Sequence, residues 1–215
     1  VYKVLRLPAL ISIVLGAVVV LPLDTPRAAE ITGKGLYKYC KSCHGSRGEG
    51  GQDGKYPRIA GMPQGYIERQ LHNFKKLERV NKPMIPIFKD QRFDAPLIEM
   101  VSAYIASLSE PPLNLWPYKP AANVLAQFDS RAELNALGEA TFQRDCAQCH
   151  GEDARAQPDK AIPPLVNQYP IYLEKQIGDF IAGRRENENC NKRFGELKPE
   201  NREAIDSNPV KPGNS

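Results

Sequence analysis

The 215-residue chain is short of several residue types, and each shortage closes off a reading. Aromatic side chains make up 8% of it, with Trp116 the single tryptophan, which leaves a small unit little bulk to bury unaided. The net charge is only +4, too weak a surplus to argue for nucleic acid as a partner. No acid–base pair stands out, and no catalytic residue is assigned. The apolar run Ala9 to Leu23 falls short of the ~20 residues a spanning helix needs. Methionine occurs three times, at 62, 84 and 100, and never in the second half. Histidine also occurs three times and not after His150. Cysteine occurs five times, so one thiol is left over from any pairing.

What is present is a repeated pentapeptide. Cys40-Lys41-Ser42-Cys43-His44 and Cys146-Ala147-Gln148-Cys149-His150 are both C-x-x-C-H, each followed by glycine (Gly45, Gly151). The pattern is that of covalent c-type haem attachment. Two thiols across a short, turn-compatible gap add to the vinyl groups, and the adjacent histidine lies beneath the iron as its fifth ligand. A bare redox or zinc cysteine pair is the competing reading. A dithiol oxidoreductase needs a βαβ context, and nothing around either motif reads as strands. The expectation is therefore two covalently bound haem c groups, held by Cys40, Cys43, Cys146 and Cys149, with His44 and His150 as axial ligands. A large flat cofactor would supply much of each core.

The N-terminus has the anatomy of an export signal. Lys3 and Arg6 flank the apolar run, and Asp24-Thr25-Pro26 breaks it. A cleavage site is imperfect, because Pro26 or Arg27 would sit three residues before the cut, so a retained anchor helix is the alternative. Either way the remainder is expected on the periplasmic side, where bacteria attach haem.

Residues 30–110 read as a first domain. Ile31 to Tyr39 suits a helix leading into the motif. Gln64 to Leu77 is amphipathic, with Tyr66, Gln70 and Phe74 every four residues. Asp94 is an N-cap followed by Pro96 in the first turn, and Leu97, Ile98, Val101, Tyr104, Ile105 and Leu108 form the apolar face of a closing helix. Met100, on that helix, is expected in the core, and Met62 as a wall residue. Residues 111–129 read as a Pro-rich linker.

Residues 130–206 repeat the first domain at a constant offset of 106. Pro57 falls on Pro163, Tyr66 on Tyr172, Gln70 on Gln176, Phe74 on Phe180, Arg79 on Arg185 and Asn81 on Asn187. The second closing helix, near 199–206, has only Ala204 and Ile205 as apolar residues, and 207–215 is a polar tail. The architecture expected is all-α: two tandem domains behind an N-terminal signal or anchor helix over 1–29.

The iron's sixth position distinguishes the halves. Met84, in a Pro-flanked loop, is the expected ligand of the first iron. The 106 shift puts Cys190 at the matching place. A thiolate there would stabilise ferric iron and lower that haem's potential. A free thiol, an intermolecular disulfide, an open iron and ligation by Lys192 are the alternatives.

These residues resemble the dihaem cytochrome c4 family. The matching pattern is C-x-x-C-H-G, Pro57-Arg58-Ile59-Ala60-Gly61, Tyr66-Ile67-Glu68-Arg69-Gln70-Leu71, Arg79-x-Asn81-x-x-Met84, and the helix Val101 to Leu108. The resemblance implies two class I cytochrome c domains related by a pseudo-twofold, with haem propionates near the domain interface. It implies that Pro57 and Pro163 offer carbonyls to the proximal imidazoles, and that Tyr66, Gln70, Tyr172 and Gln176 line the haem pockets. Family members usually carry methionine at both sixth positions, where this chain has Met84 and Cys190.

The function expected is electron transfer between redox proteins, a cytochrome or terminal oxidase among them, on the periplasmic side of a bacterial membrane. Residues 30–110 carry 13 Lys and Arg against 9 Asp and Glu, and residues 111–215 carry 13 against 15, so the first domain is the basic one that would meet an acidic partner. Two alternatives stand beside this: a haem enzyme of the thiosulfate dehydrogenase type, and an anchored cytochrome subunit of a larger respiratory or photosynthetic complex.

Overall fold

The two halves are built from short helices joined by loops that bond to one another through the main chain. A computed structural model describes residues 30–89, 93–112, 119–120, 122–156, 161–187 and 190. The expected signal or anchor helix over 1–29, the second closing helix and the polar tail lie outside these residues. Among the described residues no helix is long and apolar enough to cross a membrane, and no β-sheet forms.

In the first half, α1 (Gly33–Leu36) runs into a 3₁₀ turn, Tyr37–Tyr39, and then α2 (Lys41–His44). This is shorter than the helix expected over 31–39. Thr32 caps α1, its hydroxyl accepting from Gly35 N at 3.0 Å. After a loop come α3 (Gln64–Lys76), α4 (Ile85–Lys89) and α5 (Ala95–Ser107). Asp94 caps α5 as expected, Oδ1 accepting from Leu97 N at 3.2 Å, a contact worth about 1 kcal/mol. Helix α3 ends at Leu77, which takes a left-handed conformation with φ 62°.

The core of this half lies between α1, α3 and α5. Leu36, Tyr37, Met62, Ile67, Phe74, Phe88, Phe93, Ile98, Val101 and Ile105 are buried in one cluster. Side chains this deep contribute roughly 1.5–3 kcal/mol each. Met62 is buried within this cluster, but Met100 is not in the core. It is 36% exposed, because the apolar stripe of α5 is centred on Ile98, Val101 and Ile105 and Met100 lies off that face. Gly33 is required where α1 meets α5, since a Cβ there would lie 2.4 Å from Met100 O.

The connection carries α6 (Ala122–Leu125), and the second half follows with α7 (Arg131–Asp145), α8 (Ala147–His150) and α9 (Pro170–Ile181). Ser130 caps α7 through Glu133 N at 3.2 Å, while Glu133 reaches back to Asp129 N at 2.8 Å. No residue of α7 is buried.

Candidate functional site

Each C-x-x-C-H forms a single tight turn. His44 N and His150 N donate to the carbonyls of Cys40 (2.9 Å) and Cys146 (3.0 Å), which stacks the histidine one turn above the first cysteine. Gly45 and Gly151 then take φ 81° and 80°, a region glycine enters without steric cost. None of the five cysteines is joined to another in a disulfide. Burial, reinforced by Cys43, pushes the Cys40 thiol up to about 12.

The imidazoles are held identically. His44 Nδ1 lies 2.9 Å from Pro57 O, and His150 Nδ1 lies 3.0 Å from Pro163 O. A carbonyl can only accept, so Nδ1 carries the proton and Nε2 keeps its lone pair. Burial lowers the pKa of both rings against the opposing pull of the carbonyl, which keeps them neutral and able to bind a metal.

The loops that deliver these carbonyls share several main-chain hydrogen bonds among the described residues. Gly50 N donates to His44 O (2.8 Å) and Ala156 N to His150 O (2.6 Å). Ile59 and Ala60 donate to Gly48 O at 2.8 and 3.0 Å; Leu165 and Val166 donate to Ala154 O at 2.8 and 3.2 Å. Glycines at 48, 50 and 61 have φ 75°, 81° and 69°. Their counterparts Ala154, Ala156 and Asn167 keep φ 60°, 62° and 55°.

Met84 is partly buried and packed against the first core, its N donating to Asn81 O at 2.9 Å. Cys190 is also partly buried, its N donating to Asn187 Oδ1 at 3.3 Å. Asparagine thus stands three residues before each candidate sixth ligand. Burial, with a smaller contribution from Cys149, raises the Cys190 thiol, while Arg185 and Arg69 pull it down.

Tyr66, Gln70, Tyr172 and Gln176 meet at the join between the halves, around two arginines. Gln70 Oε1 accepts from Arg79 Nη1 (2.7 Å) and Arg185 Nη2 (3.1 Å). Gln176 Oε1 accepts from Arg79 Nη2 (2.7 Å) and Arg185 Nη1 (2.8 Å). Arg79 Nη2 also donates to Tyr172 (3.1 Å), and Arg185 Nη2 to Tyr66 (3.3 Å). Each contact has its image under the 106 shift. Arg79 is buried, yet these hydrogen bonds end on neutral oxygens. Burial works against its charge, but the oxygens of Tyr172 and Tyr66 hold its pKa above the ordinary value. Asp179 also acts on it, but that carboxylate is engaged by Lys175 and by Arg184 at 2.9 Å.

This site was only half legible in the repeat, which marks Arg79 and Arg185 as equivalent but not as touching. A second link across the join, Arg58 with Gln168, had no signal at all, since its counterparts are Pro164 and Met62.

These features fit haem: two thiols and a neutral imidazole per turn, and two guanidiniums at the join that, among the described residues, form no ion pair with a carboxylate and would accept propionates. A family model described as cytochrome c matches residues 31–109 and 135–205. A thiosulfate dehydrogenase electron acceptor from Stutzerimonas stutzeri is 30% identical over 152 residues, covering 69% of the chain and 66% of that relative, just under two thirds of its length. A cytochrome c4 from Pseudomonas aeruginosa is 26% identical over 149 residues, 69% of each. In fold, the reduced recombinant cytochrome c4 from Pseudomonas stutzeri is similar with a TM-score of 0.61 at 22% identity, over 80% of this chain and 93% of that one.

Proposed function

The chain belongs to the cytochrome c family, and from that membership we propose that it is a dihaem electron carrier working between redox proteins on the periplasmic side of a bacterial membrane. Two tandem cytochrome c domains carry two covalently bound haem c groups. The observation that carries the reading is the matched pair of imidazoles, each with Nδ1 held by a proline carbonyl and Nε2 kept for iron.

Cys40 and Cys43 hold one haem by thioethers and Cys146 and Cys149 the other. His44 and Met84 ligate the first iron; His150 and Cys190 ligate the second. Haem iron supplies a one-electron ferric/ferrous couple. The chain's own part is to fix the ligands and shield the couple. The proline carbonyls orient and enrich the imidazoles. Tyr66 and Gln70, with Tyr172 and Gln176, set the two arginines at the join, where their charge would be available to haem propionates. As a thiolate, Cys190 would donate more electron density than the thioether of Met84, so the second haem is the lower in potential. A dehydrogenase of a reduced sulfur compound is the donor suggested by the relative's name, and a cytochrome or terminal oxidase is the acceptor. The basic first domain is the docking side, and residues 1–29 are a signal peptide or membrane anchor.

Haem quantitation and potentiometry on the exported protein test this. Two haems per chain, two well-separated one-electron steps, and reduction by a sulfur-compound dehydrogenase are expected. One haem per chain, or turnover of thiosulfate by the protein alone with an artificial acceptor, would overturn it. That last outcome would instead support a haem enzyme, which the placement of Cys190 opposite Met84 in the repeat favours as the second reading.

A further inference from the structure

The two carbonyls that hold the imidazoles do not belong to equivalent amides. Pro57 C=O shares its peptide group with the N–H of Arg58. Pro163 C=O shares its peptide group with Pro164, which has no N–H. The Arg58 N–H is buried, and it donates at 3.0 Å to Oε1 of Gln168, a side chain from the other half.

We propose that Gln168 sets the electron-donating strength of His44 from across the join, through the relay Gln168 Oε1 to the 57–58 peptide to His44 Nδ1. The proposal rests on His44 being an iron ligand. An acceptor on the N–H of an amide shifts electron density onto its carbonyl oxygen, and such chains strengthen one another in a low-dielectric interior. Pro57 O then accepts more strongly from His44 Nδ1–H at 2.9 Å. A more strongly held ring proton makes the imidazole a better donor, which favours ferric iron and lowers the potential. No charge crosses the relay and no bond is made or broken.

The surroundings lock the relay in this sense. Gln168 is 5% exposed. Its Oε1 also accepts from Tyr169 N (3.1 Å), and its Nε2 donates to Arg58 O (2.9 Å). Two main-chain N–H groups on one side and a carbonyl on the other permit only one orientation of the side-chain amide. The Arg58 guanidinium pins the segment bearing Gln168 through Asn167 O (2.7 Å) and Val166 O (3.2 Å), and it pairs with Glu110 at 2.6 Å. On the opposite side, Gly50 approaches so closely, at φ 81°, that a Cβ would lie 2.7 Å from both Arg58 N and Pro57 C. The His150 site has no such control, because Pro164 offers nothing to polarise.

The test is Gln168→Met, which installs the residue found at the matching position 62, and Gln168→Glu, both in the holoprotein. Potentiometry and the His44 ring N–H resonance of the reduced protein are the readouts. In Gln168→Met, one of the two potentials rises, the other holds still, and the ring N–H moves upfield. In Gln168→Glu, whose carboxylate is a stronger acceptor, the same potential falls and the resonance moves downfield. Shifts of the same sign in both variants, or no shift in the ring N–H, overturn the relay; either variant alone suffices if the other fails to fold. A His44→Ala protein that keeps both low-spin haem signals would instead overturn the ligand assignment beneath it.

Discussion

Helix α5 of the first half takes Ile98 and Val101 wholly out of solvent, whereas α7 of the second half buries none of its residues. The same contrast runs through both units. The first has an aliphatic and aromatic core of its own. Among the described residues from 130 onward, the buried side chains are Gln168 and Gln176, and both face the first half. Yet the described parts of the loops that hold the two imidazoles share the same main-chain hydrogen bonds. The main-chain path around a c-type site is thus separable from the packing that stabilises it. One half surrounds that path with its own buried side chains, and the described residues of the other bury side chains only against the first half.

The largest effect is expected from removing one haem at a time. With Cys146→Ala and Cys149→Ala together, we predict that proteolysis opens residues 131–187 while the first half stays protected. The reciprocal double variant at Cys40 and Cys43 should leave more native-like helix, because ten buried apolar residues remain clustered. Equal loss in both would break the comparison. Next is Cys190→Met, which makes the two iron sites alike. The lower potential should rise by a sizeable part of the roughly 0.8 V span that axial ligands command, with a thiolate-type ferric EPR signal lost. An unchanged low-spin signal would remove Cys190 from the site.

Arg79→Leu should cost about 2–4 kcal/mol in denaturant unfolding, since it removes one of the two donors on each of Gln70 and Gln176 Oε1 and the Arg79 donor to the partly buried Tyr172 hydroxyl. Arg185→Leu should cost less, because Arg185 is only partly buried. The smallest effect concerns the backbone. Ala154→Gly should stabilise the second half by about 1 kcal/mol by relieving its left-handed conformation. Leu77→Gly should do the same in the first half, where glycine is missing and Gly183 is its counterpart. A thermal melt of each variant decides.

Much of this was readable beforehand because it is local or repeated. The haem turns follow from five adjacent residues, α3 and α5 from apolar spacing, and the cap at Asp94 from one side chain ahead of proline. Apolarity alone does not place Met100: it lies one residue before Val101 on a helix that turns about 100° per residue, which carries it off the buried stripe. Arg58 and Gln168 escaped for a different reason. Their bond spans 110 residues and has no image in the repeat, so neither periodicity nor duplication encodes it. Among the features that break the symmetry, Cys190 showed in the sequence because it replaced a recognisable residue. Gln168 did not, because its role lies in what it touches.

The join has a thermodynamic consequence. What is buried there is largely amide and guanidinium: Arg58, Gln70, Arg79, Gln168 and Gln176. Hydrating polar surface lowers heat capacity, and hydrating apolar surface raises it. Parting the halves should therefore add little to the heat-capacity increment of unfolding, nearly all of which would come from the first core. Calorimetry should then register the two halves as separate steps with very different curvature, even though their haem turns share the same main-chain hydrogen bonds.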